Sequence, residues 1–295
     1  MKQLFILTTT LFLGWQIKAQ DHISLSHYLI APELINPGAI GFDGQQHFRA
    51  NARASWIGIP DAPQAAAVQY SGAIGTNFGM GLGLFNQTAA NLNQIRARLN
   101  FAFKFKISDN AAFSAGLSTD YMQSTLHNRV LESNFYDLND PLGNQFINGK
   151  SILDATLGLY GRFYDKTFIG VAFTNLVMAR LDEIESGIND GMSFRYYLVH
   201  AGHRFEFPYS NFSIEPSILV RQIQNVPFQI DMNVKAGFMD EKLITGFSYR
   251  SLGTTGMLLG TKWSFFELYY SYDISLQKFQ NYNSGSHEVT FGLSF

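Results

Sequence analysis

The stretch Ile95-Arg96-Ala97-Arg98-Leu99-Asn100-Phe101-Ala102-Phe103-Lys104-Phe105-Lys106-Ile107 decides the fold. Ile95, Leu99, Phe101, Phe103, Phe105 and Ile107 fall in one phase of a two-residue period, and Arg96, Arg98, Asn100, Lys104 and Lys106 fall in the other. A helix cannot segregate these residues, whereas a strand does so directly, because its side chains alternate between two faces. The stretch from Phe228 to Phe238 repeats the pattern, with Phe228, Ile230, Met232, Val234, Ala236 and Phe238 opposed to Gln229, Asp231, Asn233, Lys235 and Gly237. In a soluble sandwich the apolar face would be the inside. In an outer-membrane barrel it would meet lipid, and the charged face would line the lumen. Periodicity alone does not choose between them.

Working outward, the same alternation predicts about fourteen strands, near 47–58, 64–75, 77–88, 92–107, 112–127, 151–164, 166–177, 192–206, 210–223, 227–238, 242–251, 254–262, 264–276 and 285–295. Connections after even-numbered strands are short and rich in turn formers: Ser108-Asp109-Asn110, Pro208-Tyr209 and Asp240-Glu241. Several connections after odd-numbered strands are longer: Asn128 to Lys150, Met178 to Gly191 and Gln277 to Ser284. Short periplasmic turns alternating with longer extracellular loops, and an even strand count, belong to a bacterial barrel with both ends in the periplasm. A sandwich has no reason to sort its loops by parity. The last strand sets Val289, Phe291, Leu293 and Phe295 on one face and ends on an aromatic, which resembles the recognition signal of barrel assembly. Phe265-Phe266, Tyr269-Tyr270-Tyr272 and Tyr196-Tyr197 suit the aromatic girdles of the two bilayer interfaces. The fold expected is therefore all-β, an antiparallel transmembrane outer-membrane barrel.

Composition agrees. The 295 residues are 15% charged, 15% aromatic and 46% apolar, with 27 Phe, 14 Tyr and 3 Trp. After the first segment no apolar run reaches the roughly 18 residues of a spanning helix. A net charge of -2 and scattered Lys and Arg exclude a nucleic-acid partner. The absence of cysteine removes disulfides, thiolate metal sites and cysteine nucleophiles. Residues 1–19 have a signal-peptide pattern: Lys2, an apolar run from Leu4 to Trp15, and a cut after Ala19. Residues 20–46 are expected to form a periplasmic N-terminal segment, with the barrel at 47–295. Pro37 bars helix continuation and forces Asn36 extended, so this segment turns near the barrel mouth, and plugging the lumen, meeting a periplasmic partner and a simple turn all stay open.

No catalytic, cofactor or metal site is expected. Gly79-Met80-Gly81-Leu82-Gly83-Leu84 superficially matches a dinucleotide loop, but the third glycine is misplaced and no helix follows, so it is a glycine-rich strand. His22 and His27 lie near the mature start, and His200 and His203 fall on opposite faces of one strand, which makes a metal site improbable. Asp182, Glu183, Glu185 and Asp190 crowd an outer loop, better read as solvated than as a calcium site. No Gly-x-Ser-x-Gly elbow is present. The lumen-facing charges Arg96, Arg98, Lys104, Lys106, Arg162, Lys235, Glu267 and Asp273 either set the selectivity of a pore or pair across strands to fill a closed interior.

Three stretches together resemble the PorP/SprF family of type IX secretion system outer-membrane proteins. The first runs from Ser26-His27-Tyr28 to Asn36-Pro37-Gly38-Ala39-Ile40-Gly41. The second is Arg53-Ala54-Ser55-Trp56-Ile57-Gly58-Ile59, leading to Ala62-Pro63, with Asp61 where a glycine is usual. The third is Tyr270-Ser271-Tyr272-Asp273, followed by Gly285-Ser286-His287-Glu288. The family positions are thus Asn36, Pro37, Gly41, Trp56, Gly58, Ala62, Pro63, Tyr272, Asp273, Gly285, His287 and Glu288; the last two are expected to touch the closing seam. The resemblance implies a non-enzymatic barrel without cofactors, partnered by other secretion components in periplasm and outer membrane. It also implies a role in anchoring a secreted substrate, such as a large adhesin of gliding motility, by its C-terminal domain. The loops 128–150 and 178–191 are the candidate surface for this. The alternative is a passive or hydrophobic-solute channel.

Overall fold

A computed structural model describes residues 25–127, 149–177, 179–180, 196–222, 227–277 and 281–295. Fourteen antiparallel strands close into one barrel. They are β1 (Gln46–Ala54), β2 (Gln64–Ile74), β3 (Phe78–Ala89), β4 (Leu92–Ser108), β5 (Ala111–Leu126), β6 (Lys150–Phe163) and β7 (Thr167–Phe173). There follow β8 (Tyr197–His203, resuming as Phe205–Phe207 after Arg204), β9 (Phe212–Gln222), β10 (Gln229–Phe238), β11 (Leu243–Arg250), β12 (Thr254–Trp263), β13 (Phe266–Ser275) and β14 (Ser286–Ser294). A two-residue piece, Ala179–Arg180, pairs with β6 above the end of β7. Each strand pairs with its neighbours in sequence, and β14 pairs with β1 from His47↔Ser294 to Ala54↔His287. The seam is sealed to the chain end by hydrogen bonds in both directions between Gln46 and Phe295. Closure pairs the strand edges of the described residues, as a bilayer core that offers backbone groups no hydrogen-bond partner demands.

Alternation places the side chains as the period demands. On β4, Phe101, Phe103, Phe105 and Ile107 are exposed on the outside while Asn100 and Ala102 are buried within. Lys106 shares the inward phase but stands exposed at the mouth, next to an irregularity in the register between Lys106 and Ser108. The end carrying 75–77, 109–110, 164–166, 239–242 and 264–265 is here the turn end. Its turns rest on left-handed residues, among them the successive Tyr164 and Asp165, the backbone that matches strand twist in tight hairpins. At the opposite, loop end the β3–β4 and β11–β12 connections are also short.

Sequence expectations change at three places, one of them the seventh strand, which ends at Phe173 where 177 was expected. The first strand stops at Ala54, four residues early, because Trp56 takes a left-handed backbone (φ 50°) and turns the chain inward over the rim. Tyr269 does not join a girdle: its parity points it inward, where it packs on Ile244 and Leu258. Phe265, Phe266 and Tyr270 do face outward. Loops 128–148 and 181–195, with the acidic cluster at Asp182, Glu183, Glu185 and Asp190, lie outside the described residues, as do His22 and residues 1–19.

Candidate functional site

The described part of the 20–46 segment does not hang below the mouth; it runs through the lumen. From Leu25 it descends to Gln45 at the turn end, where β1 begins. Pro32 and Pro37 sit five residues apart and deny the chain a continuous helix, so it folds as three single 3-10 turns, Ser26–Leu29, Pro32–Leu34 and Pro37–Ala39. The segment cannot satisfy its own polar groups this way, and the barrel wall satisfies them instead.

At the lower level the wall is built to accept backbone. Gly79, Ala102, Gly116, Gly158 and Ala172 are directly paired across β3 to β7, giving a level row of small inward residues. Asn36-Pro37-Gly38 nests on this row. A methyl group at Gly158 would lie 2.1 Å from Asn36 Oδ1, one at Gly116 would lie 2.4 Å from the Pro37 carbonyl carbon, and one at Gly79 would lie 2.2 Å from the Ile40 oxygen. Asn36 is wholly buried and extended, with φ -141° and ψ 110°. Its amide oxygen accepts from Gly38 N at 2.9 Å, and its Nδ2 donates to Leu159 O at 2.9 Å and reaches His200 Nε2 at 3.1 Å. Because an amide nitrogen only donates, His200 Nε2 is assigned as the acceptor and the ring as neutral. Gly41 is left-handed (φ 62°) and lies against the backbone of Gly72 and Ala73, a place no side chain fits. Phe42 then packs edge-on to Tyr160, under the cations of Lys104 and Arg162. At the mouth Asp43 pairs with His47 at 2.8 Å. Burial pushes the Asp43 carboxyl up, but the His47 contact, the Gln45 N–H bond and the Arg162 charge together hold it below the ordinary carboxylate range.

At the upper level the anchors are charged. Glu288, fully buried, accepts from Ser26 N at 2.7 Å, His27 N at 3.3 Å, Asn51 Nδ2 at 2.8 Å and Arg53 Nη1 at 2.9 Å. Ser26 Oγ donates to Asp273 at 2.9 Å and accepts from Arg53 and Arg250, each at 2.7 Å. Arg53 closes the ring on Asp273 at 2.7 Å. Tyr28 donates to Asp231 at 2.9 Å, itself paired with Arg221. Halfway down, Glu33 is held by Arg49 and Ser71, and the Leu34 carbonyl accepts from Arg98, which is forked onto Asp120 at 2.7 and 2.8 Å. The segment thus brings only one formal charge, Glu33, between Ser26 and Phe42, and the wall supplies the rest.

These contacts join the three motif stretches in space. Ser26 from the first, Arg53 from the second, and Asp273 and Glu288 from the third form one cluster. Trp56 donates its backbone N–H to Ser286 Oγ at 3.1 Å, and Ile57 exchanges backbone bonds with Gly285 and Ser284, so the β1–β2 loop is tied to the β13–β14 loop. Gly58 (φ 100°) and Asp61 (φ 57°) are left-handed, which accounts for a glycine preference at 61. Ala62 donates to Ile59 O, and Pro63 accepts from Ser55 N, closing that loop on itself. Gly285 (φ 83°) leaves room for the Tyr272 ring, whose hydroxyl donates to Ser284 O at 3.0 Å. His287 lies on the outer face, bonded to Tyr270 Oη at 2.7 Å. His287 is paired across the seam with Ala54, and Glu288 both bonds Asn51 and Arg53 across the seam and reaches the plug.

Three further inward charges have partners: Lys235 pairs with Glu215 at 2.9 Å, Lys104 donates to the Phe42 carbonyl at 3.1 Å, and Glu267 pairs with Arg49 at 3.2 Å. Arg96 lies beside Arg98 on the lumen side of β4, and Arg162 lines the lower cavity. His200 faces the lumen, and His203 faces out, bonded to Thr167. The anchors that sequence reading missed are Ser26, Glu33, Arg49, Asn51, Asp231 and Arg250. Inward parity was the only signal for Arg49, Asn51, Asp231 and Arg250, since the register that pairs them is not written locally; Ser26 stands in the first motif stretch and Glu33 between the two prolines, with no strand period to orient either.

No curated protein matches the sequence. Among solved structures, the Pseudomonas putida toluene transporter TodX superposes with a TM-score of 0.50 at 11% identity, covering 93% of this chain and 94% of that one. The KdgM porin gives 0.43 at 10% identity, covering 85% and 99%. The likeness to TodX is one of fold, an outer-membrane barrel. The family model described as type IX secretion system membrane protein PorP/SprF matches residues 17–293, nearly the whole chain and all three anchoring stretches, and the chain belongs to that family.

Proposed function

We propose that this barrel assists export of a secreted protein through the type IX system and holds it at the cell surface by its C-terminal domain. Family membership supports a secretion role, and the observation that carries the finer reading is the plug. It crosses the lumen from Glu288 and Asp273 on one side to the glycine row on the other. A lumen spanned this way favours work at the loop end over passage through the middle. That end is the extracellular one in this reading, with residues 1–19 removed on export and other secretion components met at the turn end. Deleting the gene should remove at least one large secreted protein from the surface proteome, and tagged barrel should recover that protein; an unchanged surface proteome rejects the reading.

A second reading, a hydrophobic-solute channel, draws on two cavities of about 180 and 190 Å3 that flank the plug. The latter mixes Leu25, Leu34, Ile35 and Met122 with Arg96 and Arg98. Solute uptake by liposomes carrying the intact protein would favour it, and tight liposomes would reject it.

A further inference from the structure

Above the anchor cluster, at the loop end, lies a third cavity of about 230 Å3. Its lining carries three guanidinium groups, Arg53, Arg221 and Arg250, against one carboxylate, Asp273. The other two acids that balance these arginines, Glu288 and Asp231, are fully buried against the plug and do not line the cavity. The surface presented to the cavity is therefore cationic although the cluster as a whole is neutral. Low-dielectric walls around such a surface focus its field outward through the opening. Arg250 Nε and Asp273 Oδ1 are both buried with no hydrogen-bond partner among the described residues, so the cluster holds an unused donor and an unused acceptor. The rim adds Trp56, Pro63 and Leu252, an apolar border around the charged floor.

We propose that this cavity binds a carboxylate side chain or chain terminus of a protein segment presented from outside. Guanidinium forks match a planar carboxylate with two parallel bonds, and the apolar rim suits a flanking hydrophobic residue. The cavity lies at the loop end, with Ser275 and Asn283 in its lining, away from the lipid-facing wall, so a protein segment reaches it more directly than a lipid headgroup. The same arginines clamp Ser26, so an arriving carboxylate competes with the plug for Arg53 and Arg250. This deepens the reading of the barrel as partner of a secreted protein, and it rests on that reading for the identity of the segment.

Trp56 is a built-in reporter. In full-length mature protein with Trp263→Phe, titration with the peptide Ac-Leu-Glu-Glu-Leu should change Trp56 fluorescence saturably, and the Gln-Gln counterpart should not. Arg250→Gln should weaken binding at least about tenfold, the loss of one charge-assisted bond of about 1.5–3 kcal/mol. Ser275→Glu, a rim change that leaves the anchors intact, should do the same by repulsion and serves if Arg250→Gln does not fold. Equal response to both peptides, response to inorganic phosphate in place of the peptide, or binding indifferent to both substitutions overturns the proposal. Peptide binding is read on purified protein and the surface proteome in cells, so either result can fail without the other.

Discussion

Glu288 combines four donors on one buried carboxylate, two of them backbone groups of the plug. Removing one member of such a set leaves its partners desolvated and unpaired, which costs more than the set contributes net. Glu288→Gln should therefore lower stability to urea by about 3–5 kcal/mol, and Arg53→Met by a similar amount, since each strands the other. The double variant Arg53→Met/Glu288→Gln should cost clearly less than the sum, because the stranded charges vanish together. Unfolding midpoints of the four proteins in detergent check this, and additive losses would show that the two residues do not act as a pair.

At the scale of the element, the plug is seated by absence of side chains as much as by bonds. Gly158→Val would push a branched side chain into Asn36 and Pro37, where a single methyl already meets Asn36 Oδ1 at 2.1 Å. Overpacking of this kind costs about 1–3 kcal/mol, and the plug turn can move where the barrel wall cannot. The chain has no cysteine, so Ala39→Cys is a clean probe of seating: it is buried beside Phe42 and Tyr160. Its thiol should react slowly in the parent and about tenfold to a hundredfold faster with Gly158→Val, the shift such a cost gives if the plug opens locally. Unchanged reactivity would mean that the wall yields instead. This element also marks the limit of sequence reading. The β4 and β10 alternation is a local property and was legible, as was Pro37 forcing Asn36 extended. That Gly79, Gly116 and Gly158 stand level depends on register across strands up to eighty residues apart. In the sequence Gly79 reads only as part of a glycine-rich strand. Glu288 is likewise visible as a family position, while its partner Ser26 lies 262 residues away and carries no charge to flag it.

For the molecule as a whole, the question is whether the barrel transmits or is closed. A fourteen-strand barrel is wide enough for an aqueous lumen if nothing fills it, since diameter grows with strand number. Here several inward charges pair across strands, and the remaining width is spanned by residues 26–42, bonded to β1, β2, β4, β6, β10, β11, β13 and β14. The wall bonds to one another hold without the segment: Arg98 with Asp120, Lys235 with Glu215, and Arg221 with Asp231. Removing residues 25–42 should therefore leave a folded barrel whose lumen admits water and ions, lined by Arg49, Arg53, Arg96, Arg98 and Lys104 and by the wall acids Asp120, Glu267, Asp273 and Glu288. In planar bilayers the intact protein should show no stepwise conductance, and the shortened one should conduct steadily. If the intact barrel conducts as well as the shortened one, the segment does not close the lumen and the channel reading gains. If the shortened barrel folds, shown by a heat-modifiable band on electrophoresis, yet stays silent, the wall charges close the lumen by themselves and the segment is held for another purpose, of which presenting the Arg53 and Arg250 floor at the loop end is the one its bonds favour.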